Sequence, residues 1–192
     1  MGYAEVLPLR RQQIIAGIPT REKHPYCNAF CRNWLLTRCL SAREHIEIVS
    51  DTLNPLVFDA SIAHQIEHRL MGNALLRVRI ITGPQILTLH GANTLCALSS
   101  LWCEDGYERL SLRSLATAPL GFQIIDSELY FEHPHHSGEV PTDVEVARWD
   151  FVAVEKYLNY FEELWGKARQ SIVLLEEMRP SSPSVTPLRR SL

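Results

Sequence analysis

Long apolar runs, a dense set of cysteines, a glycine-rich loop and a marked excess of either charge are all missing from this sequence. No apolar run approaches the roughly 18–20 residues that span a bilayer, so no membrane partner is expected. The segment Met1 to Arg11 lacks the apolar core of a signal peptide, and a cytoplasmic location is the corresponding expectation. Five cysteines (Cys27, Cys31, Cys39, Cys96 and Cys103) in 192 residues are too few for a disulfide-stapled module. In a reducing compartment they read as free core thiols. Nine glycines, none arranged as a phosphate-binding loop, leave Gly72-Asn73 and Gly83-Pro84 as turn punctuation. The 19 basic residues against 22 acidic ones exclude a protein that coats nucleic acid through bulk positive charge. A local basic groove is still compatible, because binding follows the distribution of charge.

What is present is a chain of one-domain length, 46% hydrophobic and 21% charged, able to bury a core without metals or disulfides. The eight histidines are the compositional oddity. Residues 1–23 read as an N-terminal arm with at most one short element. Phe30, Trp34, Leu35 and Leu40 recur at helical spacing and predict an amphipathic helix from His24 to Arg43. Glu44 to Ser50 alternates and ends β-branched, which predicts a strand. A turn cluster from Ser50 to Pro55 follows, then a helix from Phe58 to Met71 and a strand from Leu75 to Thr82. That is a β-α-β unit, whose strands are expected to run parallel. Further on, a helix is expected around Asn93 to Cys103 and a strand over Arg109 to Leu115. Phe122 to Glu132 has the form strand, Asp126-Ser127 turn, strand. The stretch 133–148 reads as a polar loop. Phe151 to Arg169 predicts an amphipathic helix with Tyr157, Leu158, Phe161, Leu164 and Trp165 on one side. The Pro- and Ser-rich end, 179–192, reads as a disordered tail, leaving 24–178 as the folded domain.

In element order and in several segments the chain resembles the phospholipase D-like superfamily. The segments are Ile46 to Pro55, Arg77 to Pro84, the hairpin Phe122 to Glu132, and Phe161-Glu162-Glu163-Leu164-Trp165 at the end of the last helix. The resemblance covers roughly residues 27–170, one family-sized half. It implies an α/β fold, a mixed sheet flanked by helices, and pairing as a homodimer with a cleft on the dimer axis. The family's chemistry rests on His-x-Lys-x-x-x-x-Asp, in which the His attacks the phosphodiester and the Lys neutralises the phosphate. If Asp126 is the motif's Asp, its His position is Pro119 and its Lys position is Gly121. Neither residue supplies a nucleophile or a phosphate clamp. The resemblance therefore implies the fold without the catalysis.

Three constellations carry chemistry on paper. Glu132-His133-Pro134-His135-His136 follows the hairpin. Its imidazoles offer a metal site at His133, His135 and His136, an anion site, or replacement catalysis through His133, His135 and Asp126. The plain alternative is an exposed polar loop. His64-Gln65-Ile66-Glu67-His68 matches an inverted zinc-protease motif, with Glu145 nominated as a third ligand; a polar helix face explains it as well. Arg77 with Arg79, and Arg109 with Arg113, alternate along strands. Convergence of Arg77, Arg79 and Arg113 on Asp126, Glu132 and His133 would make an anion-binding cleft for a phosphodiester. Surface or salt-bridged arginines are the alternative.

Two functional classes follow. One is a non-catalytic accessory subunit that binds nucleic acid or a nucleotide, with a homodimeric or other protein partner and no cofactor. The other is a phosphodiesterase or nuclease working through the His133–His136 cluster. A purely structural dimer is the third reading.

Overall fold

The computed structural model describes residues 19–84, 109–116, 121–133 and 141–170. Strand β1 (Thr20–Pro25) is followed by helix α1 (Asn28–Ser41), β2 (His45–Ser50), α2 (Ala60–Gly72) and β3 (Arg77–Thr82). Then come β4 (Leu110–Ser114), the hairpin β5 (Phe122–Ile125) and β6 (Glu128–His133), β7 (Asp143–Arg148), α3 (Phe151–Lys167) and β8 (Arg169–Gln170). The eight strands form one mixed sheet in the order β1-β7-β6-β5-β2-β3-β4-β8. β2, β3 and β4 are parallel; every other pairing is antiparallel.

Period-2 patterning decides which side chains meet which helices. Ile46, Ile48, Val78, Ile80, Leu110, Leu112, Ile125, Tyr130, Val144 and Val146 point to the face covered by α1 and α2. Val49, Ile81, Phe122, Ile124, Leu129 and Ala147 point to α3, where Phe161 and Leu164 close a second core. The two cores make a three-layer α/β domain with helices on both faces, as the sequence pattern predicts. α2 starts on a strong cap, since the Asp59 carboxylate accepts the Ser61 and Ile62 amides at 2.9 and 3.1 Å. Asp150 does the same for α3 through Ala153 at 3.0 Å.

One expectation is overturned. The stretch 133–148 is not a loop throughout: Asp143–Arg148 pairs along its whole length with both β1 and β6. Val144, Val146 and Ala147 supply buried faces, and the Pro141-Thr142 turn before them hid a short alternating strand in a polar context. The first helix is also shorter than predicted, because His24 and Pro25 belong to β1. Cys27, Cys31 and Cys39 are free thiols; Cys31 and Cys39 are buried in the core as expected, whereas Cys27 is exposed. The helix expected over 93–103, with Cys96 and Cys103, and the tail 179–192 lie outside the described residues. No described helix is long and apolar enough to cross a membrane.

Candidate functional site

Parallel strands give a sheet two chemically distinct edges. At the edge where β2, β3 and β4 end, β5 begins, β6 ends and β7 begins. This is the edge at which open α/β sheets hold ligands. Gly121 and Glu132 meet here, with the Glu132 amide donating to the Gly121 carbonyl at 2.9 Å. The Glu132 side chain folds over Gly121. A Cβ at position 121 would lie 2.7 Å from Glu132 Cδ and closer still to Oε2. A side chain at position 121 would displace the Glu132 carboxylate from this place. Burial raises the Glu132 carboxyl to about 7.

The surroundings of Glu132 come from α1 and from its own strand. Cys31, buried in the first turns of α1, is hydrogen-bonded to the Tyr130 hydroxyl. Burial raises Cys31 and Tyr130, and Glu132 pushes both further up. Tyr26 donates to Asn28 Oδ1 at 3.0 Å, and Asn54 Nδ2 reaches the same oxygen at 3.1 Å. Cys27 precedes the helix, exposed, and the Phe30 and Ala29 amides pull its thiol below the usual value. Tyr26, Cys31 and Asn54 carry no sequence signal for this role, because three separate segments bring them together.

Glu132 yields a stability prediction. Its folded pKa lies above the unfolded carboxyl value, so its favourable contribution is complete below about 4.5 and is lost as pH rises through about 7. Glu132→Gln is therefore expected to match the wild type at pH 4.5 and to exceed it by about 1–3 kcal/mol at pH 8, read by urea denaturation. An equal difference at both pH values would mean that the carboxyl is not desolvated.

The other expected site residues are dispersed. Asp126 sits in the β5–β6 turn at the opposite edge with φ 52°, a left-handed conformation that Asp tolerates. Its carboxylate accepts the Arg43, Glu44 and His45 amides at 2.9, 2.9 and 3.2 Å, which locks the entry to β2. Arg77 is exposed at the start of β3, opposite His45. Arg79 faces α3, with Nε and Nη2 on the Glu47 carboxylate at 2.8–3.1 Å and Nη2 on Glu162 at 2.6 Å. Arg113 stacks over Trp165 at 4.2 Å and donates to its carbonyl at 2.9 Å. Arg77, Arg79, Arg113, Asp126 and Glu132 therefore do not converge on one cleft within the chain. The strand period puts Arg79 and Arg113 on the α3 face and Glu132 on the α1 face, while Asp126 and Arg77 occupy the far edge.

His133 ends β6 opposite Asp143, and His135 and His136 lie outside the described residues. His64 and His68 are exposed on α2, and Glu145 lies on the other side of the sheet beside Arg21 at 3.6 Å. The proposed zinc triad is thereby taken apart. Among the described residues no three metal-ligating side chains cluster.

Comparison with known proteins rests on structure, since no family model matches the sequence and no curated protein matches it. The chain is similar to TrmBL2, an archaeal chromatin protein with a novel mode of DNA binding (TM-score 0.60, 18% identity). That match covers 86% of this chain and 60% of the length of TrmBL2. NucT from Helicobacter pylori matches with TM-score 0.57 and 17% identity, over 80% of this chain and 98% of NucT. Nuc from Salmonella typhimurium, a phospholipase D family member, matches with TM-score 0.57 and 14% identity over the same shares. Nuc and NucT are spanned almost end to end, and the mixed sheet flanked by helices is the fold that the resemblance read from the sequence implies. The chain has the fold of one phospholipase D-like half.

Proposed function

We propose that this chain is a catalytically silent phospholipase D-like protein that binds nucleic acid as an accessory subunit, paired with a second copy of itself. One observation carries the reading. The Glu132 carboxylate takes the space over Gly121, where the resemblance requires the lysine that neutralises a phosphate. An acidic side chain there supplies none of the positive charge by which a lysine would clamp a phosphodiester. The motif's histidine position is Pro119, which has no side chain able to attack phosphorus. Similarity to a DNA-binding chromatin protein favours nucleic acid over a small nucleotide as the ligand.

Two measurements test the proposal. The full chain should leave bis(p-nitrophenyl) phosphate and a supercoiled plasmid intact over hours. It should retard a labelled oligonucleotide with an affinity that falls as salt rises. Turnover that disappears on His133→Ala would replace this reading with the histidine-based phosphodiesterase. Failure to bind any oligonucleotide at 20 mM salt would leave a structural dimer. Sedimentation should report two chains per particle.

A further inference from the structure

The edge of the sheet opposite Glu132 gathers arginines from five parts of the chain. Arg43 follows α1 and Arg77 opens β3; both are exposed. Arg38 reaches Glu128 at 2.9 Å, and Arg148, at the end of β7, shares that carboxylate at 3.6 Å. Arg69 near the end of α2 donates to the Ala42 carbonyl at 2.5 Å, and Arg109 donates to the Leu70 and Asn73 carbonyls. Asn73 donates to the Arg43 carbonyl at 2.7 Å, and the Arg77 amide donates to the Glu44 carbonyl at 3.0 Å, so these groups form one connected edge. Among the described residues these six arginines stand with Glu44, Glu128 and Asp126, the last accepting three backbone amides, while Asp150 beyond β7 is paired with Arg21 at 2.6 Å. At the edge holding Glu132 the described residues include Asp51, Asp59, Glu132 and Asp143 together with Lys23, Arg113 and Arg32, the last paired with Asp59 at 2.5 Å. Although the formal charge of the chain is −3, its described residues thus carry an excess of arginine at this end of the sheet.

Resting on the nucleic-acid reading above, we propose that the phosphodiester backbone is held at this arginine edge and not at the edge where the fold's catalytic motif would lie. From β7 to β4 the edge spans five inter-strand spacings, about 24 Å, enough to follow several consecutive phosphates. Guanidinium groups suit them, because each presents a planar fork of donors to phosphate oxygens. Arg69 donates to the helix-terminal Ala42 carbonyl, which fixes its charge in place, and Arg109 is held on the Leu70 and Asn73 carbonyls. Arg43 and Arg77 face solvent and are the contact residues. Leu40, Met71 and Leu75 are exposed close by, at 51%, 64% and 80%, and give sugars and bases an apolar surface to lie on.

The test is fluorescence anisotropy of the full chain with a labelled 20-nucleotide single strand and the matching duplex, over a salt series. Arg43→Ala with Arg77→Ala is compared with Lys156→Ala with Lys167→Ala, which removes the same charge from exposed positions on α3. The arginine pair should weaken binding on the order of tenfold at low salt and reduce the slope of log affinity against log salt by about 2. The lysine pair should stay within twofold. Equal losses from both pairs, or an unchanged slope in the arginine pair, would overturn the edge assignment while leaving nucleic-acid binding intact. A wild-type chain that binds neither oligonucleotide overturns both readings. Wild-type binding to phosphatidylserine vesicles in preference to both oligonucleotides would assign the edge to an anionic lipid surface and overturn the proposal. Thermal melts of both pairs should coincide with the wild type, because Arg43 and Arg77 are exposed.

Discussion

Replacing Arg79 with alanine should cost about 3–5 kcal/mol of stability, the range for breaking one side of a buried ion pair. Glu47 is 2% exposed in the centre of β2 and receives the Arg79 guanidinium at two nitrogens. Arg79 also stacks on Phe161 at 4.9 Å and Trp165 at 5.4 Å, so the guanidinium is part of the α3 core as well as a counter-charge. Burial already raises Glu47 to about 7 with the arginine present. Without it the carboxyl rises further, and folding takes up a proton. The sign follows directly. A group whose folded pKa exceeds its unfolded value stabilises below the unfolded value and loses that stability as pH climbs through the folded one. Arg79→Ala should therefore be least damaging near pH 4.5 and most damaging above pH 8. Adding Glu47→Gln should recover part of the loss at pH 8 and little at pH 4.5. Urea denaturation at the two pH values checks this; a pH-independent loss under about 1 kcal/mol would show that the pair is solvated.

Asp126→Ala should cost about 2–4 kcal/mol, without any loss of chemistry. The carboxylate accepts three backbone amides between the end of α1 and the start of β2, and hydrogen bonds to a charged acceptor are worth more than neutral ones. Alanine also has to adopt φ 52°, which lacks the tolerance that Asp and Asn show there. Asp126→Asn keeps the turn and one acceptor oxygen, and should lose less than half as much. Asp126→Gly keeps only the conformation. If glycine rescued the alanine variant completely, the turn and not the amide cage would be the cause. Asp126 thus has a structural task at the entry to β2.

Much of the architecture was legible because it rests on local period. β2, α2, β3, the hairpin and α3 each show the spacing that their burial requires, and the hairpin turn falls on Asp126-Ser127 as predicted. β7 was hidden: its six residues contain Asp143, Glu145 and Arg148, and only pairing on both sides makes them a strand. The site was less legible. Glu132 could be singled out from its place beside the histidines. Its contact with Gly121 depends on the register of β5 and β6, and its high pKa depends on α1 lying over that face. The arginine edge left no trace in the sequence, because Arg38, Arg43, Arg69, Arg77, Arg109 and Arg148 are scattered over more than a hundred positions.

The shortages that marked the sequence divide along the same line. With no long apolar run, no dense cysteine set and no glycine loop, and with alternating and helical periods in order, the chain by itself determined a three-layer α/β domain resembling a phospholipase D-like half. Near-neutral charge excludes binding through bulk positive charge but is silent on where the charges lie. A sum carries no direction, and only the tertiary arrangement of strands and helices brings Arg38, Arg43, Arg69, Arg77, Arg109 and Arg148 to one end of the sheet.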